Sequence, residues 1–404
     1  MIKSLYKIVA LCLIISIFLS LNLISGSASG ESGTPISTKE EFYNIRNNLS
    51  GNYYLTRDIE FSTSDFAAGG TYYNSGKYFL PIGDGKNPFK GTFDGRGFTV
   101  SGIKISISGQ VYSMNVTPVA TGIMTADDWT GDYIIDPTPK PSTTPTAGVF
   151  GSNQGTIKNL NISDCSISAR SSNSATLYVG GIAAHNGGNI SNCSVKNTLN
   201  CDSRSYIGGI VGYQSAGSVT NCLVRGKIES DGTYGSVVGA VAGGKVTNCL
   251  SVVQFTGDKA ASVKLAGVDV LNNIANCYYK SDEECDGIGI SVSSLNIKNP
   301  LSYSGFDFSD NWYMSGTLRH PALKGVGISE GSDITTGDLD ADGTKNLLDL
   351  VLLARYVAKW NIEIHKEVAN VNFDFTSDGE DIVDLADVTH LAQNLAGWNN
   401  AVLY

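Results

Sequence analysis

From Ala147 onward, apolar residues fall in short alternating stretches separated by glycines, and the pattern returns with a period near 28. The members are Gly148-Val-Phe-Gly151 with Gly155-Thr-Ile157-Lys-Asn159-Leu160, Gly180-Gly-Ile182 with Asn189-Ile190-Ser-Asn192-Cys193, and Gly208-Gly-Ile-Val-Gly212 with Ser218-Val219-Thr-Asn221-Cys222. Val237-Val-Gly239 with Lys245-Val246-Thr-Asn248-Cys249, and Ala266-Gly-Val268 with Ile274-Ala-Asn276-Cys277, continue the series. Two half-buried strands per unit cannot fold alone, whereas stacked units bury a shared interior. At this length each unit is one coil. The pattern predicts a mainly β chain built as a right-handed parallel β-helix, a single-stranded solenoid with neighbouring strands ~4.8 Å apart. Ile103, Leu160, Cys193, Cys222, Cys249 and Cys277 then form one inward file. Asn159, Asn192, Asn221, Asn248 and Asn276 line a corner as an amide ladder.

These units resemble the GLUG-motif repeats of secreted bacterial surface proteins, over roughly Phe89 to Tyr279. Upstream, Thr38 and Glu41 make a capping box, and Phe42, Ile45 and Leu49 mark one helical face that stops at Gly51. We expect residues 29–66 to be an N-terminal cap of helix plus strands, covering the open end of the stack. Residues 67–325 are the β-helix. The proline-rich stretch 110–146 is an extended loop within it, because the repeat continues on both sides. Leu301, Tyr303, Phe306, Phe308, Trp312 and Tyr313 read as the aromatic closing cap. Residues 326–336 are a linker.

Residues 337–398 carry a different period. Asp349, Leu353, Ala354, Ala358 and Trp360 stand opposite Asp387, Leu391, Ala392, Ala396 and Trp398, each pair 38 residues apart. A hard cation such as Ca2+ takes six to eight oxygens from a flexible loop. Asp338, Asp340 and Asp342 stand at loop positions 1, 3 and 5, and Gly343 turns the chain at position 6. Thr344 offers its carbonyl, Asn346 sits at position 9, and Asp349 closes the set at position 12. The second loop offers more than one register among Asn370, Asn372, Asp374, Thr376, Asp378 and Gly379, with Asp384 as a substitute ligand before Asp387. One site and a second are expected, the second with an open ligand set.

No helical period precedes the first loop, and one helix follows it. This duplicated half-hand resembles a type I dockerin, the module that plugs cellulosomal proteins into a cohesin domain on a scaffoldin. The resemblance implies a small all-α calcium-binding domain at 337–398. It implies partner-facing positions at Leu347, Leu348 and Arg355. The family's recognition pair is usually hydroxylic, so Leu347-Leu348 departs from it.

The formal charge is −10, and residues 337–398 alone carry twelve acidic and four basic side chains. The acidity is therefore mostly loop chemistry, and it argues against nucleic acid as a partner. Lys3 and Lys7 before the apolar run Ile8–Ile24, then small residues, predict a secretory signal over 1–28. No second apolar run is long enough to span a bilayer, so an exported, extracellular product attached to a cellulosome is expected.

The four cysteines of the inward file should be thiols, because in-register neighbours stand too far apart for a disulfide. The pairing of Cys165, Cys201 and Cys285 stays open. Acids in the repeat body are sparse and do not recur at one coil position. Asp202 with Arg204, Arg225 with Lys227 and Asp231, and the loop residues Asp127, Asp128, Trp129, Asp132 and Tyr133 are the places where catalysis could sit. Tyr72, Tyr73, Tyr78, Tyr112, Trp129, Tyr133 and Tyr213 are candidates for stacking on sugars. The expected function is a cellulosome-type subunit whose β-helix binds or presents plant cell-wall polysaccharide. The alternative is a polysaccharide-degrading β-helix of pectin lyase or glycoside hydrolase type. Catalytic residues are not identifiable.

Overall fold

In the computed structural model, residues 33–73, 78–107, 146–170, 176–201, 205–230, 233–256, 264–282, 288–294, 296–327, 334–376 and 378–398 are described. The signal segment, most of the proline-rich loop, Asp202, Arg204, Asp231, Cys285 and residues 328–333 lie outside them. The chain divides into Met1–Thr34 and Pro35–Tyr404, and the elements below belong to the second unit.

Inward alternation of Val, Ile and Phe closes the coils. One file runs through successive rungs as Tyr53, Phe93, Ile157, Ile190, Val219, Val246 and Ile274, each paired in parallel with the next. Tyr178 pairs with Tyr206 and Tyr206 with Thr233, steps of 28 and 27 residues, so one repeat is one coil. The described strands form three parallel walls, of 15, 5 and 4 strands, around a continuous apolar core. This is a parallel β-solenoid.

The corner reading holds. Asn159, Asn192, Asn221, Asn248 and Asn276 all take φ between 50° and 54°. Asn tolerates this left-handed region better than any other residue except glycine. The Asn192 Nδ2 donates to Asn159 Oδ1 at 3.4 Å, one step of the ladder. Gly226 is the one glycine in the long strand Ser218–Ser230 whose geometry excludes a side chain. Its φ is +110°, and a Cβ there would meet the Asn197 carbonyl at 2.0 Å.

The thiol file is also present. Cys193, Cys222, Cys249 and Cys277 are buried and free, each donating to the carbonyl two residues earlier at 3.1–3.3 Å. Cys165 and Cys201 are thiols as well. Cys165 pairs with Asn197 and Cys201 with Ala169, so the two stand on different rungs. Burial pushes the Cys165 thiol up to about 12.

Helix α1, Lys39–Asn44, carries the expected box: Thr38 Oγ1 accepts from Glu41 N at 3.2 Å, and Glu41 accepts from Thr38 N at 3.1 Å. Its Phe42 is fully buried against Phe61, Phe79 and Phe93. A single turn, α2, follows at Thr63–Phe66.

The aromatic segment does not close the far end of the stack. It packs on the outside of the large wall. Leu223, Leu250 and Tyr278 point outward from three successive rungs and form a second core with Tyr303, Phe306, Trp312, Leu323 and Val326. Three outward apolar side chains in register need cover, and the segment supplies it as a strap. Trp312–Ser315 and His320–Leu323 form its antiparallel hairpin. The strap then reaches back to an early coil, where Gly327 N donates to the Gly97 carbonyl at 3.1 Å.

The C-terminal module holds helix α3, Leu347–Val357, and helix α4, Leu385–Leu395. They pack through Leu339, Leu353, Ala369, Val371 and Leu391. Leu353 and Leu391 hold equivalent places 38 residues apart, as the repeat requires. No helix among the described residues is long and apolar enough to cross a membrane.

Candidate metal centre

The first loop is organised by carboxylates bonding to backbone amides. Asp338 accepts from Asp342 N at 3.2 Å and Gly343 N at 3.1 Å. Asp340 accepts from Asp342 N at 3.2 Å, and Asp342 from Thr344 N at 2.8 Å. Asp349 is fully buried and joins the two ends of the loop, accepting from Leu339 N at 2.7 Å and Asn346 N at 2.8 Å. Asn346 caps α3 by accepting from Leu348 N at 2.7 Å. Carboxylate oxygens of Asp338, Asp340 and Asp342 lie within 4.8 Å of one another. Burial, then the neighbouring charges of Asp349 and Asp342, raise the Asp338 pKa above the ordinary carboxylate value. Hydrogen bonds from Thr344 lower that of Asp342.

The second loop repeats five of these bonds, and the repetition identifies its register. Asp374 N donates to Asn370 Oδ1 at 3.1 Å and Asn372 Oδ1 at 3.2 Å, as Asp342 N does to Asp338 and Asp340. Asp387, buried, accepts from Val371 N and Asp384 N, both at 2.8 Å, matching Asp349. Asp384 caps α4 through Ala386 N at 2.6 Å, matching Asn346. Ala341 and Phe373 share φ near +58° at the fourth position of each loop. Asn370, Asn372, Asp374, Asp384 and Asp387 therefore stand where Asp338, Asp340, Asp342, Asn346 and Asp349 stand.

The second loop holds six extra residues, 375–380, bridged at Phe375 and Asp381. Thr376 and Asp378 belong to this insertion, with the Thr376 hydroxyl engaged to Glu380. The expected ligands Thr376 and Asp378 thus fall in the insertion, and Asn370 and Asn372 are the members of the open register that the repeated bonds select. The 38-residue offset applied backward from Asp387, with the loop length left free, would have found the pair.

The oxygens suit a hard cation. Asp374 Oδ1 is buried without a hydrogen-bond partner, an oxygen that a cation would satisfy. Burial and the charge of Asp374 raise the Asp387 pKa.

Each loop delivers a bare apolar residue at the start of its helix. Leu347 is 70% exposed and Leu385 68%. Leu348 and Val351 extend the first patch, and Trp360 and Trp398 are exposed at the matching helix ends. The Arg355 guanidinium lies 5.4 Å from the Trp360 ring centre. Leu385 stands 38 residues after Leu347, so the module's repeat is the signal that marks it in the sequence.

On the solenoid the candidates disperse. Asp164 pairs with Lys196 at 3.7 Å and Lys227 with Glu229 at 3.5 Å. Asp94 is buried and occupied by Lys158 at 3.2 Å and Asn159 at 3.0 Å, and Asp84 caps a turn. Tyr72 is buried in the cap rather than presented, while Tyr73 is exposed. Tyr213 stacks on Tyr178 at 4.7 Å and 9°, beside Tyr206 and His185. His185 bridges two coils, Nδ1 to Ser152 Oγ at 3.0 Å and Nε2 to Ser215 Oγ at 2.9 Å, and burial lowers its pKa. Tyr112, Trp129, Tyr133, Asp127, Asp128 and Asp132 lie outside the described residues.

Residues 175–200 and 203–229 match the GLUG motif. These are two adjacent coils of the solenoid, including the Tyr178–Tyr213 stack and the first two thiols of the file. No curated protein matches the chain. Among solved structures, an IgA1 protease is similar at 11% identity with a TM-score of 0.32, over 67% of this chain. The chain spans 24% of that protein's length.

Proposed function

We propose that this is an exported β-solenoid carrying a calcium-dependent docking module. The module binds Ca2+ on two loops and presents Leu347, Leu348, Val351, Arg355 and Leu385 to a cohesin domain of a scaffoldin. The solenoid is the cargo, binding or presenting cell-wall polysaccharide at the surface of a cellulosome. The observation that carries the reading is the set of five hydrogen bonds that the two acidic loops share, each loop leading into a helix that opens with an exposed leucine. Buried apolar area at the centre of a patch drives association, and two such patches related by an internal repeat form a doubled docking surface.

The test is capture of a scaffoldin cohesin by the mature chain with Ca2+ and with chelator, using Asp340→Ala/Asp342→Ala and Leu347→Asp/Leu385→Asp variants. Capture should need Ca2+ and be lost in both variants. Capture that survives chelator, or absence of capture by the intact chain, refutes the docking role. Binding of the same protein to pectin, xylan and cellulose, with product release followed in parallel, tests the solenoid's part.

A further inference from the structure

Phe375, Gly379 and Asp381 of the second loop touch the solenoid's strap. Arg319, in the turn of the strap hairpin, pairs with Asp381. Lys298 donates to the Gly379 carbonyl at 3.2 Å and lies 5.7 Å from the Phe375 ring centre. The chain just before the module is fastened there too, with Gly316 N donating to the Ile334 carbonyl at 2.8 Å.

Asp381 has a second partner. Its Oδ1 accepts from Asn370 Nδ2 at 3.5 Å, and the same Nδ2 donates to the Asp374 carbonyl. Asn370 is the first-position residue of the second loop, where the first loop has Asp338. The difference matters chemically. A carboxylate presents oxygen whichever way it turns. An amide presents oxygen one way and an N–H2 group the other, and only the oxygen can bind a cation. Something must fix the amide's orientation. Here two acceptors hold Nδ2, which leaves Oδ1 facing the loop, where it meets Asp374 N at 3.1 Å. One of those acceptors, Asp381, is held by Arg319.

We infer that Arg319, a residue of the solenoid's strap, is a positioning residue for the module's second cation site, acting through Asp381 on the Asn370 amide. This rests on the calcium reading above. Outer partners that orient a ligand commonly change metal affinity on the order of tenfold or more when removed. The second site is therefore completed by the body of the protein.

The experiment is calorimetric titration of the full mature chain with Ca2+. Arg319→Ala should weaken one of two binding steps on the order of tenfold and leave the other unchanged, with Arg319→Lys intermediate. Asp342→Asn should weaken the other step, which assigns the two. The decisive variant is Asn370→Asp. A carboxylate needs no orienting, so in that background Arg319→Ala should have no effect on either step. Equal weakening of both steps by Arg319→Ala would mean a general loss of structure and overturn the inference. So would an unchanged titration, or a full effect that persists with Asn370→Asp. If the intact chain takes up no Ca2+ at all, the calcium reading itself falls, and this inference with it.

Discussion

Replacing the corner asparagine Asn221 by Ala tests the solenoid at its most regular feature. The residue has φ 50° and stands between Asn192 at 50° and Asn248 at 54° on neighbouring coils. The left-handed conformation costs an ordinary L-residue about 1–2 kcal/mol. Alanine has the Cβ that causes the cost and no side-chain amide to offset it. Asn221→Ala should therefore lose about 1–2 kcal/mol. Asn221→Gly removes the Cβ and should lose less, about 0.5–1 kcal/mol from the added freedom of the unfolded chain. Changing Asn192, Asn221 and Asn248 together to Ala should cost about 3–6 kcal/mol, a large part of a typical margin of 5–15. The same triple change to Gly should be better tolerated. Urea denaturation followed by far-UV circular dichroism measures this, comparing midpoints at equal slope. If Ala and Gly are equal at position 221, or Ala is the more stable, backbone strain is not what selects asparagine at this corner.

The remaining expectations concern the module, the thiols and the cap. Without a cation, the raised pKa values of Asp338 and Asp387 mean that these two carboxyls hold more protons in the folded module than in the unfolded chain. Their contribution to stability should therefore fall as pH rises from about 4 through the raised values, and Ca2+ should reverse that loss near neutrality; thermal melts at pH 4 and 7, with and without Ca2+, read both signs. The same protons compete with the metal, so Ca2+ affinity measured by titration should drop as pH falls through that window. In folded protein at pH 8, Cys193, Cys222, Cys249 and Cys277 should resist alkylation, and all four should react once urea is added, without reductant; mass spectrometry counts the adducts, and a linked Cys193–Cys222 pair would contradict the free file. Phe42→Ala should cost about 3–5 kcal/mol by opening a cavity under the cap, visible as a lower denaturation midpoint.

Much of this protein was legible in its sequence because the informative signals are local and repeated. A period near 28 with inward Val and Ile requires stacked coils, since no single coil buries its own apolar side. Asn at one place in each unit marks a left-handed corner, because few side chains tolerate that φ. The grouping of Asp338, Asp340 and Asp342 follows from spacing, because alternate positions of one short loop stand close together whatever surrounds them.

What only the tertiary structure decided depends on residues that meet across long stretches of chain. Leu223, Leu250 and Tyr278 read as ordinary strand positions, yet they face outward. The aromatic segment therefore lies along the wall as a strap instead of plugging the end. The second loop's register was open in the sequence because loop length is weakly constrained by energy: six extra residues add little closure entropy. Only the contacts of Asp387 with Val371 and of Asp374 with Asn370 identify its members. Arg319 and Asp381, 62 residues apart, carry no sequence signal of their meeting. Their pairing depends on the strap and the module being folded against each other, which no local pattern encodes.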